Sequence, residues 1–168
     1  AVSASGQSNL PQQLMPSAKR RLRIPERKKM SFKKVAVLGL GKVGHLAAEL
    51  LMESGFEVTG VDARAVKAPF PTKVVDLQDA EAIGALLKGQ EAVLSCLPFH
   101  LNIGVSTVAH KLGLHYFDLT EDVPTTKHIR ELSKTSKGLM APQCGLAPGF
   151  VGIVGAHLAE QFDKVRSI

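Results

Sequence analysis

The sequence predicts an α/β protein, a doubly wound parallel sheet in a three-layer α/β/α arrangement. Two observations carry this. From Lys34 onward, short β-branched runs alternate with amphipathic ones, the order that yields parallel strands joined by right-handed crossovers. The strand-like runs are also continuously apolar, as expected where helices cover both faces of a sheet.

Each element can be justified in turn. "KVAVLGL" (34–40) reads as a buried strand, and residues 42–54 as a helix stopped by Gly55. "FEVTGVD" (56–62) is the second strand. Pro69 and Pro71 forbid a long helix in the connection that follows. "KVVDL" (73–77) makes a third strand and "QDAEAIGALLKG" a helix. "EAVLSCLP" is the fourth strand, ended by Pro98, with Asn102 placed to cap the helix "IGVSTVAHKLG" and Gly113 to finish it. "HYFDL" is the fifth strand, Thr125 or Thr126 opens the helix "KHIRELSKTSKG", and "LMAPQC" is the sixth strand. A helix over about residues 150–161 follows "GLAPGF", and "KVRSI" resembles the start of another strand. The chain thus divides into a basic tail (1–33), a nucleotide-binding-type domain (34–162) and the beginning of a further domain (163–168).

Charge is unevenly shared. Residues 1–34 hold nine Lys or Arg against one acid, Glu26, whereas the rest holds 12 bases and 14 acids. The formal charge of +6 therefore belongs to the tail, and the body offers no basic surface for nucleic acid. Trp is absent and aromatics are few, which also disfavours a base-stacking platform. The tail is rich in Ser, Gln, Pro and base and reads as disordered. It fits either a segment without functional role, with Met30 as the natural start, or an organelle-targeting one. No apolar run reaches membrane-spanning length. Cys96 and Cys144 belong to no paired motif and read as reduced thiols, consistent with a cytoplasmic setting. The six histidines form no ligand cluster, so no metal is expected.

The chemistry starts at "GLGKVG", residues 39–44. Between a parallel strand and its crossover helix, unsatisfied N–H groups and the helix dipole make an anion site. There Gly39 permits the tight turn, Gly41 lets a pyrophosphate reach the backbone, and Gly44 lets helix and strand pack closely, with Leu40, Lys42 and Val43 alongside. This is the Rossmann pattern, and Asp62, at the end of the second strand, strengthens it. Its carboxylate can accept both ribose hydroxyls and would repel a 2′-phosphate, favouring NAD over NADP. Arg64 is the counter-signal, because a guanidinium can grip phosphate. Asp76, beside Leu77, could accept from the adenine amino group or cap the next helix. Leu97 and Pro98 should border the ribose and nicotinamide. His100, just past a strand's carboxyl end, and Asp118 in "DLTED" are the candidates for proton transfer or substrate contact.

From Lys34 to Ile168 the motif order resembles the saccharopine dehydrogenase family, especially its lysine 6-dehydrogenase-like branch. The matching pieces are "VAVLGLGKVG", "VVDLQD", "EAVLSCLP", "HYFDLTED" and, most specifically, "CGLAPGF". The resemblance implies an NAD(P)-dependent oxidoreductase acting at an amino acid C–N bond. It implies dinucleotide contacts from Gly39, Gly41, Gly44 and Asp62, and a nicotinamide end lined by Leu97, Pro98 and Thr120. It also implies a substrate pocket bordered by Phe99, Gly145, Pro148 and Gly149. Family members continue into a substrate and dimerisation domain, so a homodimer is expected through that part, and this chain alone should bind cofactor without turnover. The alternative is an NAD-binding sensor domain of the potassium-transport type, against which "CGLAPGF" counts.

Overall fold

The computed structural model describes residues 32–167; the readings made of residues 1–31 and of Ile168 lie outside the described residues. Six strands form one parallel sheet: β1 (Lys34–Leu38), β2 (Glu57–Asp62), β3 (Thr72–Val74), β4 (Ala92–Ser95), β5 (His115–Asp118) and β6 (Met140–Ala141). Their order, β3-β2-β1-β4-β5-β6, reverses direction between β1 and β4, the topological switch at which such sheets open a crevice. The helices are α1 (Lys42–Glu53), α2 (Ala80–Leu87), α3 (Phe99–Leu112), α4 (Val123–Ser133) and α5 (Phe150–Ala159). This is the doubly wound Rossmann fold that the alternation of runs predicts.

Two cores flank the sheet. Ala36 and Leu38 of β1 face α2, α3 and α4, joining Ile83, Leu87, Val105, Ala109 and Ile129. Val35 and Val37, pointing the other way, meet α1 through Ala48 and extend to Val58 and Phe70. Each large aliphatic side chain fully buried here contributes about 1.5–3 kcal/mol. The α1 layer is the thinner. Phe32, read as part of the tail, lies against this side with its ring 4.8 Å from that of His115.

Several boundaries shift from expectation for identifiable reasons. Helix α3 starts at Phe99, with Pro98 (φ −54°) at the N-cap, and Asn102 is not the cap. It lies inside the helix, buried, where its Oδ1 accepts from Ser95 Oγ at 2.6 Å. Helix α4 opens earlier than Thr125 or Thr126, because the Asp122 carboxylate accepts the Thr125 N–H at 2.9 Å and its hydroxyl at 2.6 Å. Helix α2 is capped by Asp79, which accepts from Glu81 N and Ala82 N. Strand β6 is only two residues long: Pro142 has no N–H to donate, and Gln143 has φ +66°. Residues 164–167 form no strand.

The start of β1 is fixed by a charge. Glu91 Oε2 accepts the N–H groups of Lys33 and Lys34, both at 2.8 Å, which holds its carboxyl below the usual range. A depressed carboxylate stabilises the fold fully above its ordinary value of 4.5 and loses that contribution as pH falls through the folded value. Glu91→Gln is therefore expected to lower the neutral plateau of a melting temperature against pH curve and to flatten its acid limb, the two proteins converging at low pH. An acid limb identical to the parent's would refute the assignment.

Candidate functional site

Gly39, Leu97 and Thr120 follow the carboxyl ends of β1, β4 and β5, and Asp62 ends β2, so the fold gathers them along one edge of the sheet, beside the switch point. Gly39 has φ +88°, and its N–H donates to Val61 O at 2.8 Å. A Cβ there would meet Leu97 Cδ2 at 2.9 Å, so Leu97 closes over the turn. Gly41 is the N-cap of α1 and offers no side-chain cap, and no acid stands in the first turn. A Cβ on Gly41 would meet nothing within 4 Å. At Gly44, by contrast, a Cβ would drive into the Gly39 carbonyl oxygen and lie 3.1 Å from Cys96 Cβ. The three glycines thus have three different jobs: a bend, an open approach, and a close helix–strand contact.

The first turn of α1 therefore presents backbone N–H groups to open space with no internal anion to satisfy them, and Gly41, Lys42 and Val43 are exposed around it. This fits a diphosphate, which would supply the missing acceptors. Asp62 stands next to it. Its Oδ2 accepts the Leu40 N–H at 2.8 Å and its Oδ1 the Arg64 N–H at 3.1 Å. Each oxygen keeps a second lone pair for a hydroxyl donor. Arg64 is exposed.

Other predicted residues fall differently. Asp76 accepts from Gln78 N at 2.9 Å in a local turn, leaving the cap of α2 to Asp79. The Leu77 side chain is buried in the core. Pro98 and Phe99 are exposed at the start of α3. His100, also exposed, borders a hollow of about 290 Å³ with Leu77, Ile83 and Leu101.

Asp118 is enclosed, which corrects its reading as a group that could reach substrate. Its Oδ2 accepts the Tyr116 hydroxyl at 2.7 Å, and its Oδ1 accepts the N–H groups of Thr120 at 3.0 Å and Gln143 at 3.2 Å. Burial raises its pKa despite those three donors. The carboxylate ties the ends of β5 and β6 together. Thr120 is likewise buried, and its hydroxyl oxygen accepts from Asp122 N at 3.1 Å. The loop after β6 closes on itself: Gly145 bridges to Gly149, and Phe150 N donates to Gly145 O at 3.0 Å. The Ala147–Pro148 bond is cis, and Gly149 has φ +130°. A Cβ on Gly145 would lie 3.1 Å from Leu119 O, so this loop sits against the end of β5. Cys96 is half-buried, and burial pushes its thiol up to about 11, leaving it a poor nucleophile.

Sequence reasoning missed two supporting groups. Ser95 and Asn102 pin the β4–α3 turn from below. His45, in the first turns of α1, has its ring centroid 5.6 Å from that of Phe70 and its Nε2 3.4 Å from Lys67 O, anchoring the loop that carries Arg64. The only sequence signal was the polar type of Asn102 and His45 on otherwise apolar helix faces.

With this geometry in view, comparison with known proteins is decisive. Residues 35–141 match the family described as the saccharopine dehydrogenase NADP binding domain. The chain belongs to that family. The sensor-domain alternative is thereby set aside, and residues 35–141 form an NAD(P)-binding domain of the saccharopine dehydrogenase type. Among solved structures the chain is similar to an apo, histidine-tagged saccharopine dehydrogenase (L-Glu forming) from Saccharomyces cerevisiae. The TM-score is 0.63 at 18% identity, over 77% of this chain and 31% of that one. It is also similar to a putative epimerase from Bacteroides thetaiotaomicron, with a TM-score of 0.47 at 21% identity, over 52% of this chain and 46% of that one. At 18% identity, the yeast structure supports the fold alone. The chain spans about a third of the yeast enzyme's length, 31%. Among the described residues, no helix is long and apolar enough to cross a membrane.

Proposed function

We propose that this chain is the coenzyme-binding part of an NAD-dependent oxidoreductase that oxidises a C–N bond of an amino acid of the lysine or saccharopine class. The observation that carries the reading is the uncapped first turn of α1, open at Gly41 and flanked by the Asp62 carboxylate. When bound, the nicotinamide supplies the hydride acceptor. The chain's own residues bind and orient. The Gly39–Gly44 turn holds the diphosphate, Asp62 accepts the adenosine ribose hydroxyls, and Leu97 and Pro98 flank the far ribose. The Gly145–Gly149 loop and Phe99 border the space left for substrate. Positioning of this kind is what a dinucleotide fold contributes to hydride transfer. Proton transfer is assigned to no group here, since Asp118 is sequestered and His100 stands exposed on α3.

The choice of NAD over NADP rests on Asp62, whose negative charge opposes a 2′-phosphate. The expected result is tighter binding of NADH than NADPH, by about tenfold or more, in calorimetric titrations of the 168-residue chain. Equal or reversed affinities would remove the role given to Asp62. A homodimer formed through a part of the protein outside this chain, in the cytoplasm, completes the reading. Helix α5 supports a partner surface: it buries no residue, and Phe150, Val151 and Ile153 are exposed.

A further inference from the structure

The opposite, amino-terminal edge of the sheet carries a second concavity. Strand β3 begins at Thr72, opposite Gly60, so the first residues of β2 have a neighbour on the β1 side only. The end of α1 and the Pro69–Pro71 segment wall off the bare edge, leaving a hollow of about 510 Å³, within the range of small-molecule sites. Its apolar wall is Met52, Phe56 and Phe70. Its polar groups are unusual. Gln90 Oε1 is buried with no hydrogen-bond partner, a state that native folds seldom tolerate without a donor arriving from elsewhere. Lys34 stands opposite Glu57 in register, yet no ion pair joins the two side chains; those found among the described residues lie elsewhere. The nearby Glu91 carboxylate is engaged by two backbone N–H groups.

One cation, one anion, an orphan acceptor and an apolar wall around a single hollow are complementary to a zwitterion with a hydrophobic side chain. We propose that this hollow binds a free α-amino acid with an apolar side chain. Its carboxylate meets Lys34, its ammonium lies between Glu57 and Gln90 Oε1, and its side chain rests on Phe56, Met52 and Phe70. The five residues of β1, at about 3.3 Å each, separate this site from the glycine turn by roughly 16 Å. Its occupant cannot touch the coenzyme there and is apart from any substrate.

Titration of L-phenylalanine and L-leucine into the isotopically labelled 168-residue chain, followed by backbone and side-chain amide NMR, tests this. Shifts are expected at Val58 and at the Gln90 side-chain amide. 2-Phenylethylamine and 3-phenylpropanoate, each lacking one charge, should bind about tenfold more weakly or worse, as should L-phenylalanine to Lys34→Met and Glu57→Gln. Both substitutions are at exposed positions, and NADH affinity should stay within about twofold in each. No shifts at the hollow, shifts confined to residues 39–44, or equal binding of the charge-stripped analogues would each overturn the proposal.

Discussion

Gly44→Ala is expected to destabilise the protein by more than about 3 kcal/mol, a large share of an ordinary domain's stability. The new methyl group would overlap the Gly39 carbonyl oxygen and press on Cys96 Cβ. Neither can retreat: Gly39 is tied by its N–H to Val61, and Cys96 N donates to Leu38 O at 2.8 Å within the sheet. Gly41→Ala provides the contrast. Its methyl meets nothing within 4 Å, and φ is −67°, so stability should change by less than about 0.5 kcal/mol. NADH affinity should nevertheless fall at least about tenfold, because the methyl occupies the space through which a phosphate reaches the amides. Urea unfolding and calorimetry on the two variants decide the matter. A stable Gly44→Ala protein, or undiminished binding by Gly41→Ala, would contradict the division of labour among the glycines.

The second large effect is expected at Asp118. Asp118→Ala strands the Tyr116 hydroxyl and the N–H groups of Thr120 and Gln143 without an acceptor, at a cost of about 3 kcal/mol or more. Asp118→Asn should cost about 1 kcal/mol or less. Its amide oxygen can take both backbone donors, and the Tyr116 hydroxyl can rotate to accept from its NH₂ group. The two variants therefore separate loss of acceptors from loss of charge. The charge itself has a signature. Burial raises the folded-state pKa of Asp118, so the folded protein holds that proton at pH values where the unfolded chain has released it. Stability then falls as pH rises from the ordinary carboxylate value of 3.8 through the folded one. That slope should vanish in Asp118→Asn. Its persistence in that variant would assign it to another group.

What the sequence conveyed and what it hid follow a physical divide. The glycine turn was legible because each demand there is local: a positive φ, an open approach and a close contact within six residues. Asp62 was legible from its place at a strand's end. Asn102 and Asp118 were misread because tertiary neighbours decide their roles. Asn102 has the residue type of a cap, but Ser95 draws it inside α3. Asp118 looks like a loop acid until Tyr116 and the segment after β6 enclose it. Strand β6 read long because "LMAPQC" is apolar, and it stops short because Pro142 cannot donate and Gln143 turns. The family's loop motif is legible as a string, whereas the bridge of Gly145 to Gly149 depends on how the loop packs.

The hydrogen bond from Leu40 N to Asp62 gives one acid two masters. The group proposed to grip the sugar also braces the glycine bend, so on that proposal adenosine recognition and the shape of the bend are mechanically linked. Engineering this protein toward the phosphorylated coenzyme by deleting the acid would loosen both ends at once. A side chain that keeps an acceptor aimed at Leu40 while shedding its charge, asparagine or serine, is the more promising first step.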